Sequence, residues 1–349
     1  MKAKIKIACL PVAGIQNPYQ YLMIEGLNTS KKLNAFNGID DRFFGIYKTV
    51  HKYHPDYIHF DWINSYYQRR TFWMTLIFLP NFIFQVLYIK VFTSTKIVWT
   101  LHNILPHNAN HIRFHRWVRS WFGKKCEWVR VFSNDSIRKA SKDLKLVSSK
   151  FITIPEGDYS NIYPNNMSQI EARKILNISP DKYVLLSLGY IKPYKGIEKL
   201  IDSFSKLNKK KVELLIAGEG IDKEYIRSLK SKLSLLNEKR IRLIDNFIPM
   251  NDLQIYFNAA DLVVLPFDKV ENSGSAIMAM GFKKPVLAPK MGVLKKRLGQ
   301  QDQLLYKDLT KGLEVAISLN RKQLHLFGEK NYLALQNYQW KDFGKCFDV

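Results

Sequence analysis

The chain has 349 residues and carries 54 lysines and arginines against 30 acidic residues, a formal net charge of +24, with 46% apolar and 24% charged positions. Such proportions exclude a disordered or collagen-like polymer, and the length accommodates two domains that each bury a core. The three cysteines, Cys9, Cys126 and Cys346, have neither metal-ligand nor disulfide spacing, which fits a reducing compartment.

Lys4 to Leu10 predicts an opening strand, and the loop from Pro11 to Tyr19 feeds an amphipathic helix through Leu27, a first βα unit whose Gly14 and Asn17 join the candidate ligand-binding residues. Tyr57-Ile-His-Phe60 predicts a further strand, with Asp61-Trp62 as its loop. Tyr66 to Lys90 is apolar and aromatic behind the pair Arg69-Arg70. A helix packed on a sheet and a helix dipping into a membrane both fit this stretch, and Pro80, Asn81 and Gln85 make it a poor spanning helix. Lys96 to Leu101 predicts a strand that ends at His102, a candidate for chemistry or a structural hydrogen bonder. His107, His111 and His115 recur every four residues on one helical face, but with no carboxylate or cysteine beside them no metal site is expected. Arg113, Arg116 and Arg119 interleave with Trp117 and Trp121, a pattern that suits a lipid headgroup zone. After a strand at Phe151 to Ile154, the polar stretch Tyr163 to Ser168 marks a boundary. The expected domains are 1–165 and 166–330, with a tail helix over 331–349 packing back toward the first.

The second half repeats the strand, turn, helix order. Tyr183 to Leu186 predicts a buried strand and Ile197 to Phe204 a helix, so Gly189, Lys192, Lys195 and Gly196 lie on the turn between them. Glycine lets backbone approach an anion, and first-turn amides with two lysines three residues apart suit a diphosphate; an ordinary βα loop with solvated lysines fits the same residues. Leu214 to Gly220 is a strand that ends in Gly218-Glu219-Gly220. Ala260 to Phe267 is another, followed by the polar loop Asp268 to Ser275 containing Glu271, Ser273, Gly274 and Ser275, then a helix from Ala276 to Gly281 and a strand over Pro285 to Pro289. Both turns would face the carboxyl edge of a parallel sheet, where open α/β sheets bind ligands.

These segments resemble the donor domain of glycosyltransferase family 4, also called group 1, of the bacterial polysaccharide type. Gly189 to Gly196 is similar to its glycine, arginine and lysine turn, Leu214 to Gly220 to its Gly-x-Gly strand end, and Ala260 to Pro289 to its signature block. Val-Trp-Thr-Leu-His-Asn is similar to its strand ending in the histidine that faces the transferred sugar. The resemblance implies an α/β protein of the GT-B fold, two Rossmann-like domains whose parallel sheets face an interdomain cleft. It makes His102, Lys192 and Lys195 the expected catalytic residues, the lysines holding the donor diphosphate. Gly14, Asn17, Gly189, Gly196, Gly218, Glu219, Glu271, Ser273, Gly274 and Ser275 are the expected donor-binding set. One departure stands out: the family's two glutamates, eight positions apart, fall on Val270 and Met278 here, with Glu271 only a neighbour of the first.

The implied activity is transfer of a hexose-type sugar, with retention, from a UDP- or GDP-linked donor to a lipid-linked saccharide in capsule or exopolysaccharide assembly, without metal or cofactor. The positive excess is spread over both halves: residues 1–170 hold 23 basic and 10 acidic residues and the remainder 31 and 20. That distribution reads as attraction to an anionic membrane surface and pyrophosphate-linked substrates. No nucleic-acid-reading motif accompanies it. The start lacks a signal-peptide core, so the expected location is cytoplasmic, at the inner face of the cell membrane. A nucleotide-sugar epimerase or phosphorylase of the same fold, or a non-enzymatic protein binding anionic lipid or nucleic acid, are the alternatives.

Overall fold

The computed structural model describes residues 3–14, 17–105, 111–268 and 272–347. The chain forms two units, Met1–Gly157 with Tyr338–Val349, and Asp158–Asn337.

Unit 1 runs β1 (Ile5–Leu10), α1 (Pro18–Asn28), β2 (Leu33–Asn37), α2 (Gly45–Tyr53), β3 (Tyr57–Phe60), α3 (Asn64–Tyr67), α4 (Phe72–Phe92), β4 (Lys96–Thr100), α5 (Ile112–Lys125), β5 (Trp128–Val131), α6 (Asn134–Leu144) and β6 (Phe151–Thr153). Its six strands pair in the order β2-β1-β3-β4-β5-β6, all parallel. β3 and β5 are buried on both faces along their whole length, as strands of a covered parallel sheet are. The core joins Ile58, Phe60, Ile97 and Trp99 of the sheet to Phe82 and Val86 of α4 and Phe122 of α5. A short turn at Trp340–Cys346 closes this unit: Trp340 packs against Gly26 of α1, where a Cβ would overlap it, and Phe343 lies edge-on to His59 at 5.1 Å.

Unit 2 runs α7 (Gln169–Ile175), β7 (Tyr183–Leu188), α8 (Ile197–Ser205), β8 (Val212–Ala217), α9 (Lys223–Leu236), β9 (Ile241–Ile244), α10 (Leu253–Ala259), β10 (Leu262–Val264), α11 (Gly274–Gly281), β11 (Val286–Pro289), α12 (Gly292–Arg297), β12 (Leu305–Tyr306), α13 (Leu309–Ser318) and α14 (Arg321–Leu335). The strand order is β12-β11-β10-β7-β8-β9, again parallel. Ser168 and Glu171 form a reciprocal capping box that starts α7, and Arg173 of that helix pairs with the buried Asp261 at 2.7 Å. Asp261 also accepts from the Val184 amide, so one carboxylate ties α7, β7 and the start of β10 together.

The unit boundaries differ from those expected. Unit 2 begins at Asp158, ahead of the polar Tyr163–Ser168 stretch, because Gly281 of α11 packs against Ser160. It ends at Asn337, so α14 belongs to it, and the closing segment that packs back on unit 1 is a 3-10 helix over Trp340–Cys346, shorter than the expected 331–349.

Candidate active site

In unit 2 the strand order reverses between β7 and β10: the chain moves outward through β8 and β9, then returns to place β10 on the other side of β7. At such a reversal the loops leaving two neighbouring strands diverge and open a crevice at their carboxyl ends. The loops leaving β7 and β10 are the two anion-type turns of the sequence.

Gly189 and Gly196 bound the first turn with φ of +125° and +72°. At Gly196 a Cβ would collide with the Pro266 carbonyl oxygen, so only glycine lets the α8 start press against the β10 loop. Gly218 at the end of β8 is equally constrained, because its Cβ would strike the Gly189 carbonyl. The Glu219 carbonyl accepts from Ile191 and fixes the turn, while the Glu219 side chain is exposed. A Cβ built on Gly189 would lie 3.5 Å from both Lys195 Nζ and Ser275 Oγ. An ammonium, a hydroxyl and a bare glycine backbone thus converge at one point.

Lys195 is half-buried, its Nζ 5.0 Å from the Phe267 ring centroid, and no carboxylate among the described residues pairs with it. Desolvation, reinforced by Lys192, pulls its pKa down to about 8. A cation held out of water beside a second cation is stabilised by an arriving anion. Lys192 lies over the Tyr190 ring at 5.1 Å. In the second turn Ser273 accepts from the Ala276 amide at 3.1 Å, so its hydroxyl caps α11, leaving the Gly274 and Ser275 amides without an acceptor among the described residues. Gly274 has open space where a Cβ would be. Glu271 lies outside the described residues, as do Val270 and His107.

In unit 1 the corresponding reversal is between β1 and β3. Gly14 and Asn17 belong to the loop after β1, in this unit. Gln20 holds that loop, its amide meeting the Pro11 carbonyl and the Ala13 N–H at 2.9 and 2.6 Å, and Asn17 caps α1. His102, just past β4, meets Asp61, just past β3: Nε2 is 2.9 Å from Oδ1. The imidazole stacks on Trp62 at 4.7 Å and meets the edge of Tyr19 at 4.9 Å. Burial alone would raise the Asp61 carboxyl, but His59, His102 and Arg130 together hold it below the usual carboxylate range. Burial also pushes His59 down to about 4 despite the Asp61 charge, so this second histidine is neutral; its Nε2 bonds Thr100 at 2.7 Å. Arg130 is fully buried and donates to Tyr19 Oη and the Ile154 and Pro155 carbonyls. The pairing leaves His102 Nδ1 with no hydrogen bond among the described residues.

Sequence reasoning placed His102 but not its carboxylate. The available signal was an aspartate ending an apolar strand, Tyr57-Ile-His-Phe-Asp61, with no turn requirement to explain it. Among the described residues no three potential metal ligands cluster. His115 instead bonds Tyr67 Oη at 3.2 Å in the core, and His111 stacks on Phe72 at 3.8 Å.

The family model of group 1 glycosyl transferases matches residues 168–308, which include both turns of unit 2. A GDP-mannose:glycolipid 4-beta-D-mannosyltransferase of Xanthomonas campestris pv. campestris is 29% identical over 198 residues, 56% of this chain and 51% of the relative. The lipopolysaccharide 1,2-N-acetylglucosaminetransferase of Salmonella typhimurium is 26% identical over 63% of this chain and 61% of its own. The chain spans about half the length of the mannosyltransferase it matches. Among solved structures, sucrose-phosphate synthase from Thermosynechococcus elongatus superposes with a TM-score of 0.73 at 17% identity, covering 98% of this chain and 97% of that one. Anabaena Alr3699/HepE in complex with UDP and glucose gives 0.72 at 17%, covering 98% of each. The chain therefore has the GT-B fold of two Rossmann-like units expected from sequence.

Proposed function

We propose that the protein transfers a hexose-type sugar from a UDP- or GDP-linked donor to a lipid-linked saccharide in capsule or exopolysaccharide assembly, as a cytoplasmic protein held at the inner membrane face. The observation that carries the reading is Lys195, a desolvated cation that no carboxylate among the described residues pairs with, set with Ser275 over Gly189 at the strand reversal of unit 2. The relatives' names, a glycolipid mannosyltransferase and a lipopolysaccharide N-acetylglucosaminetransferase, support the acceptor class.

In this reading unit 2 binds the nucleoside diphosphate. As the bond from the sugar C1 to the diphosphate oxygen breaks, the electron pair leaves with the diphosphate. Lys195, Lys192 and the Gly274 and Ser275 amides stabilise that charge, so the reaction requires no metal. Unit 1 takes the acceptor and supplies His102. The family resemblance implies retention at C1, and one observation favours a second reading, inversion. A histidine oriented by a buried carboxylate, with its other nitrogen unbonded, is the arrangement by which a base takes the acceptor hydroxyl proton during direct displacement. The anomeric configuration of the product of an α-linked donor, read by NMR, separates them: α means retention and β inversion.

The test of the function is release of nucleoside diphosphate from a panel of nucleotide sugars with and without a glycolipid acceptor. Release that requires the acceptor is expected. Sugar conversion without acceptor, or turnover with phosphate alone, would instead establish an epimerase or a phosphorylase.

A further inference from the structure

Helix α4 has two apolar faces. One is core: Phe82, Val86 and Ile89 are at most 1% exposed. The other is a solvent stripe of Trp73, Ile77, Pro80, Phe84, Leu87 and Val91, spaced alternately by four and three residues and so aligned along one side of the helix. Trp73, Ile77, Phe84 and Val91 are 62–76% exposed. The stripe runs about 27 Å at 1.5 Å per residue, far more contiguous apolar surface than scattered exposed residues leave. α4 is the one helix among the described residues long and apolar enough to cross a membrane. Its opposite face is part of the unit 1 core, so it cannot span without unfolding that core.

The charge around the stripe identifies its occupant. Between Asp61 and Glu127 the sequence holds no acidic residue and nine basic ones. Arg70 and Lys90 are exposed at the two ends of α4, and Arg113 is exposed on α5, whose first turn packs beside Phe72. Two copies meeting stripe to stripe would bring these like charges together, whereas anionic headgroups complement them.

We propose that the α4 stripe is the seat of the protein on an anionic lipid surface, the helix lying in the plane of the membrane with its outer side chains about 5–10 Å into the headgroup and acyl boundary. The inference deepens the glycolipid transferase reading by naming the surface that delivers the acceptor, and rests on that reading for its biological setting only. The sequence pattern suggested docking over the segment from Arg69 to Lys125; within it Arg119 is buried, donating to the Asn103 carbonyl, and the exposed apolar stripe is that of α4.

The experiment is co-sedimentation of the full chain with phosphatidylcholine vesicles containing or lacking phosphatidylglycerol, at low and high salt, for the unmodified protein and for Ile77→Ser, Phe84→Ser and Val91→Ser combined. These side chains are exposed, so the variant keeps its thermal transition and its nucleotide affinity. Partitioning is expected to need phosphatidylglycerol, weaken with salt, and fall roughly tenfold or more in the variant. Brominated lipid should quench the unmodified protein more than Trp73→Phe. No sedimentation with anionic vesicles at low salt, undiminished binding of the triple variant, or a solution dimer that the triple variant converts to monomer would each overturn the proposal. None of these readouts needs a sugar donor or turnover, so a failed transferase assay and a failed vesicle assay are told apart.

Discussion

Lys195 is the residue at which burial and charge act in the same direction. Its pKa of about 8 means that the free protein begins to lose this charge just above neutral pH, whereas a bound diphosphate would raise the pKa back toward the ordinary lysine value. Below about 8 the ammonium is charged in both states and affinity is at its maximum. Above it, binding must take up a proton. Affinity for a nucleotide sugar, whose diphosphate does not titrate in this range, is therefore expected to fall with rising pH by up to about tenfold per unit. Calorimetry in buffers of different ionisation enthalpy would detect the proton uptake; a flat profile from pH 7 to 10 would remove Lys195 from the site. In unit 1, His102→Ala is expected to lower turnover by roughly 10²–10⁴ without changing nucleoside diphosphate affinity. Asp61→Asn separates a base from a structural histidine: if Asp61 orients the imidazole for catalysis, the amide lowers turnover with nucleoside diphosphate affinity unchanged, whereas a purely structural pair would show only a lowered Tm.

At the scale of elements, the two glycine turns were legible because their steric demands are local. Gly189, Gly196 and Gly218 stand where backbone must pass backbone, and a strand, a glycine-bounded turn and a helix imply that packing without knowledge of distant partners. Gly196→Ala combines a positive φ with the Pro266 collision and is expected to cost at least about 1–3 kcal/mol, read as a lowered Tm and a loss of nucleotide binding. Gly274→Ala meets open space and should be tolerated far better. Helix α4 was harder to read because its apolar residues surround the axis, and composition alone does not say which face meets the sheet. The packed-core reading describes one side of it; the other is an exposed apolar stripe. The His102–Asp61 pair was illegible for a different reason: its partners lie 41 residues apart and meet only because β3 and β4 are adjacent in the sheet.

On the scale of the whole chain, two parallel sheets follow from alternating strands and helices, but the point where the chain leaves one unit for the other does not. Asp158 to Ile162 is polar and looks like linker, yet it packs on α11, and the closing turn around Trp340 returns to α1. Each unit has its own core, so each can have its own thermal transition. A nucleoside diphosphate that binds only unit 2 is expected to raise the transition of that unit by mass action, with hydrogen-exchange protection concentrated around β7, α8 and α11. Protection confined to unit 1 would place the donor elsewhere.

The central claim is that the turn between β7 and α8 holds the donor diphosphate through Lys195. It is tested most directly by titrating GDP and UDP, at pH 7, into the unmodified protein and into Lys195→Ala. A charge-assisted contact contributes about 1.5–3 kcal/mol, so for the nucleotide that binds, Kd should rise roughly tenfold or more in the variant while its unfolding transition persists. An equal Kd in a folded Lys195→Ala protein would contradict the account.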